Sequence, residues 1–274
     1  MLNSKFGIEI EMTGLTRDAA SKVLAAHLGG SVNHVADGYD RYQVTAPDGR
    51  IWTVMYDSSI TPQKKDSVRG VVPATDLYKV EVVSPILTYR ADIENLQELI
   101  RKLRKAGGIT NSRCGIHIHL DGADHTARSI RNFINIIASK NDLFYKALAI
   151  ETARMDFCKR LDTRLVFDMN RKKPATLSAI ADIWYDGYST EMRERHYHSS
   201  RYHFLNLHSF FTGNHTVELR GFNSTLHAGV VRSYIVLALA INHQALTQKS
   251  ASARANQTEN EKFARRTYLN RLGL

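Results

Sequence analysis

The chain has 274 residues, 43% apolar and 23% charged, with a formal net charge of +10. That composition supports a sizeable packed core and excludes a wholly disordered chain. It also argues against a membrane span, which needs an apolar run of ~18–20 residues, because the longest run, Val230 to Ile241, is broken by Arg232 and Ser233.

The N-terminal run has no long apolar stretch and turns acidic at Glu9, unlike a secretory signal. Two cysteines, Cys114 and Cys158, give no disulfide framework. Together these features predict a cytoplasmic setting. Lys5–Met12 alternates Phe6, Ile8, Ile10 and Met12 against Gly7, Glu9 and Glu11, the period of a strand with one buried face. Thr16 is placed to cap a helix that runs to His27 and stops at Gly29. Tyr42–Ala46 and Arg50–Tyr56 flank Pro-Asp-Gly, a hairpin signal. Leu77–Val83 reads as a further strand, closed by Pro85.

Ala91–Lys105 predicts an amphipathic helix ending at Gly107, and Cys114–Leu120 alternates as a strand. Thr126–Ile150 carries helical spacing through Ile130, Phe133, Ile134, Ile137 and Leu143. Thr152–Arg201 is polar, basic and aromatic with no clear period, and is expected to form a lid or substrate insertion. His203–Phe210 and His215–Gly221 read as a closing strand pair, followed by a helix from Ala228 to Gln248. Lys249–Lys262 is polar, a loose tail or a turn before a short final helix. With no repeat and no linker, the chain reads as one catalytic domain over 1–248, with 152–201 inserted and 249–274 as a tail. Helices interspersed among alternating strands predict an α+β fold with a largely antiparallel sheet and helices on one face.

The chemical signal lies on the polar strand faces. Period-2 geometry sets Glu9 and Glu11 on one face with Gly7, and His117 with His119 beside Gly115. Glu218 and Arg220 share a face with Thr216, and Glu81 sits between Val80 and Val82. A water-facing sheet alternates in the same way, and for any one pair that is the simpler reading. The set departs from it, because one strand offers only Glu and another only His, each opposite a strongly apolar face. Carboxylates with one imidazole suit Mg²⁺ or Mn²⁺. Divalent ions there could bridge nucleotide phosphates, with an adjacent arginine neutralising a transferring phosphoryl group. No GxxxxGK[ST] run occurs.

Six motifs come in a fixed order: Phe-Gly-Ile-Glu-Ile-Glu at 6–11, Tyr-Asp-Ser-Ser at 56–59, Val-Glu-Val-Val-Ser-Pro at 80–85, Cys-Gly-Ile-His-Ile-His at 114–119, Arg-Tyr-His-Phe-Leu-Asn at 201–206 and Val-Glu-Leu-Arg-Gly-Phe at 217–222. In this the chain resembles the amidoligase family of the glutamine synthetase and glutamate–cysteine ligase superfamily, over roughly residues 5–245. The resemblance implies a curved antiparallel sheet forming a funnel-like active site with helices outside. It implies an ATP-dependent carboxylate–amine ligase that makes an amide through an acyl phosphate, with ATP and two or more Mg²⁺ or Mn²⁺ ions. Carried over by motif, Glu9, Glu11, Glu81, Glu218 and His117 would ligate metal, while His119 would ligate it or contact phosphate. Arg220 would stabilise the transferring phosphoryl group. Arg201 and Asn206 match positions that touch phosphate or substrate, and both can serve one site only if Arg201 lies in the loop before the strand. Asp57 and Ser59 would bind substrate or amine, with Ser58 where the family has glycine.

The partners expected are small-molecule or peptide carboxylates and amines, with no membrane and with oligomerisation open. A metal-dependent hydrolase or phosphatase would use the same ligands with water as nucleophile. A nucleic-acid-binding protein would use the +10 charge and the basic stretch Arg154–Lys173. Cys158, among Arg154, Lys159 and Arg160, has neighbours that could lower its pKa. The run Arg193–His203 could bind an anion or, through its histidines, a metal.

Overall fold

Whether each period in the sequence finds a partner surface is seen in the computed structural model, which describes residues 2–255 and 260–274. The strands are β1 (Lys5–Met12), β2 (Ser31–Val35), β3 (Arg41–Thr45), β4 (Ile51–Met55), β5 (Gln63–Asp66), β6 (Gly70–Pro73), β7 (Val80–Val83), β8 (Leu87–Thr88), β9 (Gly115–Asp121), β10 (Leu205–Asn206) and β11 (Thr216–Asn223). The α-helices are α1 (Arg17–Leu28), α2 (Tyr89–Lys105), α3 (Ala127–Ser139), α4 (Asn141–Ala147), α5 (Thr163–Lys172), α6 (Leu177–Trp184), α7 (Thr190–Arg193), α8 (His208–Phe211), α9 (Ala228–Thr247) and α10 (Glu261–Leu272). Among the described residues, no helix is long and apolar enough to cross a membrane.

One antiparallel sheet runs in the order β10–β11–β9–β1–β7–β4–β3–β2, open at both ends, with β8 pairing the start of β1. β5 and β6 form a separate hairpin. On one face of the sheet the alternating apolar residues Ile8, Ile10, Val82, Ile116, Ile118 and Leu219 are at most 1% exposed. Against that face pack the apolar stripes of α1, α2, α3 and α9, including Leu24, Leu103, Phe133 and Ile235. The α+β architecture with a helical layer follows from these periods. Thr16 caps α1 by accepting from Ala19 N–H, and Gly29 ends it at φ 69°.

Four stretches differ from the sequence reading. Leu77–Val83 begins with a 3₁₀ turn at Asp76–Tyr78, because the buried Arg17 draws the Asp76 and Lys79 carbonyls to its guanidinium at 2.6 and 3.0 Å. Thr126–Ile150 is two helices that meet at Lys140. His203–Phe210 keeps only Leu205–Asn206 as strand, since Asn206 Oδ1 accepts from His208 N–H at 2.7 Å and turns the chain into α8. The aperiodic stretch Thr152–Arg201 forms α5, α6 and α7, and sends Met169, Ile180, Trp184 and Tyr185 into the core. Of the reading for Lys249–Lys262, residues 256–259 lie outside the described residues, and α10 follows.

Ile118 is fully enclosed at the sheet–helix interface, whereas Val68 at the β5–β6 turn is 90% exposed. Ile118→Ala should therefore lower the unfolding free energy by about 2–5 kcal/mol, and Val68→Ala should stay within about 0.5 kcal/mol of wild type. Chemical denaturation of the two variants checks this.

Candidate active site

The polar face of the sheet is assembled by strand register. β1 lies between β7 and β9, so Glu9 pairs His117, Gly7 pairs His119 and Glu11 pairs Glu81. On the next strand Glu218 pairs His119, and beyond it Asn206 pairs Glu218. Directly opposed residues on one face hold their Cβ atoms about 4.5–5.5 Å apart. Four neighbouring strands thus gather these carboxylates and imidazoles without any loop.

All five residues expected to ligate metal meet here. Glu9, His117 and Glu218 offer three donor atoms within 4.8 Å of one another, and Glu11, Glu81 and His117 do the same. His117 Nδ1 lies 2.8 Å from Glu9 Oε2 and 3.9 Å from Glu218 Oε1, while its Nε2 lies 3.5 Å from Glu11 Oε1. His119 belongs to neither group; its Nε2 is 3.0 Å from Glu9 Oε1 and its Nδ1 3.1 Å from Thr216 Oγ1. Arg220 Nη1 donates to Glu218 Oε1 at 2.5 Å, and Asn206 Nδ2 donates to the other oxygen at 2.5 Å. Both ends of the Asn206 amide are therefore engaged within the protein. Glu11 Oε2 accepts from Gly115 N–H at 2.6 Å.

Burial and mutual charge divide the carboxylates into two kinds. Burial alone would raise Glu9, but His119 and His117 hold it well below the usual range. Burial likewise opposes ionisation of Glu218, and Arg220 overcomes it. For Glu11, burial and then Asp57 outweigh the attraction of Arg154 and Arg220 and push it up to about 8. Glu81 is raised by burial and by the facing Glu9, Asp57 and Glu11. Burial, with Arg220, lowers His117, whereas for His119 the attraction of Glu9 and Glu218 outweighs burial and brings it to about 9.

Beside this cluster opens a recess. Glu11, His117 and Arg220 form its inner side. Asp57, Ser58 and Ser59 come from the stretch after β4, where Asp57 Oδ1 accepts from both the N–H and the hydroxyl of Ser59. Arg201 reaches the same recess from a 3₁₀ turn at Ser199–Arg201, ahead of β10, which meets the condition set by its odd spacing from Asn206.

Arg113, Arg154, Phe157, Tyr197 and Tyr202 also line the recess and were not singled out from the sequence. The Arg113 guanidinium lies over Phe157, and Arg201 lies over Tyr197 and Tyr202. The Tyr197 hydroxyl bonds that of Tyr39 from the β2–β3 turn, so two distant segments meet at the mouth. No period marks these residues, which sit on turns. Their one signal is the density of arginine and aromatic residues around 154–157 and 197–202.

Cys158 is buried, and burial raises its thiol despite the nearby Arg154. Cys114 is raised to about 12 by burial and points into the core. In the basic stretch, Arg160 pairs Asp142, Arg164 pairs Asp186, and Arg171 and Lys172 pair Asp168. Among the described residues, the histidines of 193–203 join no three-donor group; His198 caps the 3₁₀ turn and stacks on His208.

The raised Glu11 fixes a pH dependence. A carboxyl whose pKa rises on folding contributes stability that is fully present below its unfolded value of 4.5 and is lost as pH climbs through about 8. Glu11→Gln removes that loss. The variant should match wild type near pH 5 and exceed it above pH 8, by on the order of 4 kcal/mol. Metal-free thermal melts across that range check the crossover. Glu9→Gln and Glu218→Gln should not show it, because their carboxylates are held ionised by partners.

None of the curated proteins compared matches the chain. The family model described as "putative amidoligase enzyme" matches residues 2–242, which include every residue of the carboxylate–histidine cluster and of the recess. The chain belongs to this amidoligase family.

Proposed function

We propose that this protein is a cytoplasmic, ATP-dependent carboxylate–amine ligase that forms an amide through an acyl phosphate in a funnel-like site. The observation that carries the reading is the pair of overlapping three-donor groups beside the buried Glu218–Arg220 pair, at the inner end of an arginine-rich recess.

The donor set fits Mg²⁺ or Mn²⁺: four carboxylates and one shared imidazole, hard donors in the main. A neutral imidazole has one lone pair, so His117 can serve only one of the two positions at a time. Glu9 and Glu218 would complete one, Glu11 and Glu81 the other. When bound, such ions neutralise the charge on the ATP phosphates. Glu11 would have to lose its proton to serve as a ligand, so metal affinity should strengthen as pH rises toward its value of about 8.

The chain's own residues then have separable tasks. Arg220, held by Glu218 and by the Phe157 carbonyl, presents a fixed cation to the phosphoryl group in flight. His119, which Glu9 and Glu218 raise to about 9 before an ion is bound, stands where it would contact the phosphates. Asn206 keeps Glu218 from rotating away. Arg201 binds the acid substrate, a small molecule or peptide, and Asp57 with Ser59 binds the amine. In the first step the substrate carboxylate forms a bond to the γ-phosphorus as ADP leaves. In the second the amine attacks the acyl carbon and phosphate leaves.

Purified protein incubated with ATP, Mn²⁺ and mixtures of amino acids and peptides should release ADP only when an acid and an amine are both present. Glu9→Gln and Glu218→Gln should abolish release. Arg220→Lys should lower it by at least about 100-fold, since an ammonium lacks the guanidinium fork. If no mixture consumes ATP and no nucleotide binds, the ligase reading is wrong. Cleavage of a simple phosphoester without ATP would replace it with a hydrolase.

A further inference from the structure

Arg154 is only 2% exposed and is among the largest fully buried side chains of the protein. Burying a guanidinium costs several kcal/mol unless its donors are matched. Here they are matched by backbone: Nη1 donates to the Phe222 carbonyl at 2.6 Å and Nη2 to the Arg220 carbonyl at 2.7 Å.

Those two carbonyls belong to an irregular point in β11. Leu219 pairs Ile118 and Phe222 pairs Ile116, so Arg220 and Gly221 together face the single residue His117. Such a bulge takes backbone groups out of the ladder and bends the strand, which re-aims the side chains that leave it. Arg220 leaves the strand at this bulge. Its partners are set on three sides: its N–H donates to the Phe204 carbonyl, its Nη1 to Glu218 and its Nε, at 3.4 Å, to the Phe157 carbonyl.

The turn that carries Arg154 is tied to the same strand. Glu151 N–H donates to Asn223 Oδ1 at 3.0 Å, and Asn223 Nδ2 donates to the Ala149 carbonyl at 2.8 Å. A slot for the guanidinium is left by Gly115 on β9, where a Cβ would stand 2.2 Å from Arg154 Nη2.

We propose that Arg154 is a positioning residue for Arg220: its guanidinium clamps the carbonyls on both sides of Gly221 in the bulge and so fixes the direction in which Arg220 enters the recess. Gly115 is the vacancy that admits the clamp. The catalytic consequence rests on the ligase reading of Arg220, whereas the clamp itself does not.

Crystal structures of full-length Arg154→Lys and Gly115→Ala, with ADP release measured on the same samples, test this. Lysine keeps the charge but cannot span both carbonyls as a fork; alanine at 115 keeps every polar group and displaces the guanidinium. In both variants the Arg220 guanidinium should leave Glu218, while the Glu9–His117 contact persists. ADP release should fall by at least about tenfold, as expected when a transition-state group is misplaced. An unmoved Arg220 in both variants overturns the proposal, as does a displaced Arg220 with wild-type ADP release. Should Arg154→Lys fail to fold, Gly115→Ala decides alone. Should the wild type release no ADP, the ligase reading fails, and the position of Arg220 still decides whether the clamp exists.

Discussion

β1 hydrogen-bonds to β9 on one side and to β7 on the other, and its register decides what the whole sheet can do. Glu9 then stands opposite His117, and Glu11 opposite Glu81. A slip of one residue would turn Ile8 and Ile10 outward and send the carboxylates into the helical layer. The apolar face forbids that slip. Its isoleucines are enclosed by α2, α3 and α9, and their burial is the dominant favourable term available to the fold. The core thus specifies the site without touching it.

What the core specifies is electrostatically costly. Four carboxylates crowd one face of the sheet, and strong cationic partners hold only two of them well ionised. Glu218 has Arg220 and Glu9 has its two histidines, so both stay ionised. Glu11 and Glu81 also face other acids, and burial with those acids raises both. Crowding is felt at Glu11 and Glu81, where burial and the neighbouring acids outweigh the attraction of the nearby arginines. An arrangement that lowers stability at neutral pH and is still built into the central strands fits a site shaped for chemistry.

The legibility of the sequence follows the same line. β1 and the cap and stop of α1 were readable to the residue, since period, cap and glycine agree there. The strand faces of Glu9, Glu11, His117, His119, Glu218 and Arg220 were readable because alternation is a geometric rule. Their partnering was not, because alternation within a strand says nothing of register between strands. Asn206 shows the difference: its place on a strand was readable, whereas its bonds to Glu218 and to the start of α8 were not. Arg154 was invisible as an individual. It lies on a 3₁₀ turn between helices, and what makes it matter is a bulge in a strand 66 residues away.

The two ends of the site are therefore built by different means. The carboxylate–histidine end projects from interior strands, where ladders on both sides leave each Cβ little freedom. The recess end is made by turns: Asp57 after β4, Arg113 before β9, and Tyr197 and Arg201 before β10, joined at the mouth by the Tyr39–Tyr197 hydroxyl contact. Turns tolerate changes of length and residue that ladders do not. A fold divided in this way can hold one set of reacting groups fixed while the walls that recognise a substrate vary. In this chain those walls carry guanidinium groups placed over aromatic rings, Arg113 over Phe157 and Arg201 over Tyr197 and Tyr202. Such contact limits the motion of a long side chain and lowers the entropy lost when its fork closes on a carboxylate. The recognition end thereby gains from its aromatic residues some of the rigidity that the reacting end takes from its strands.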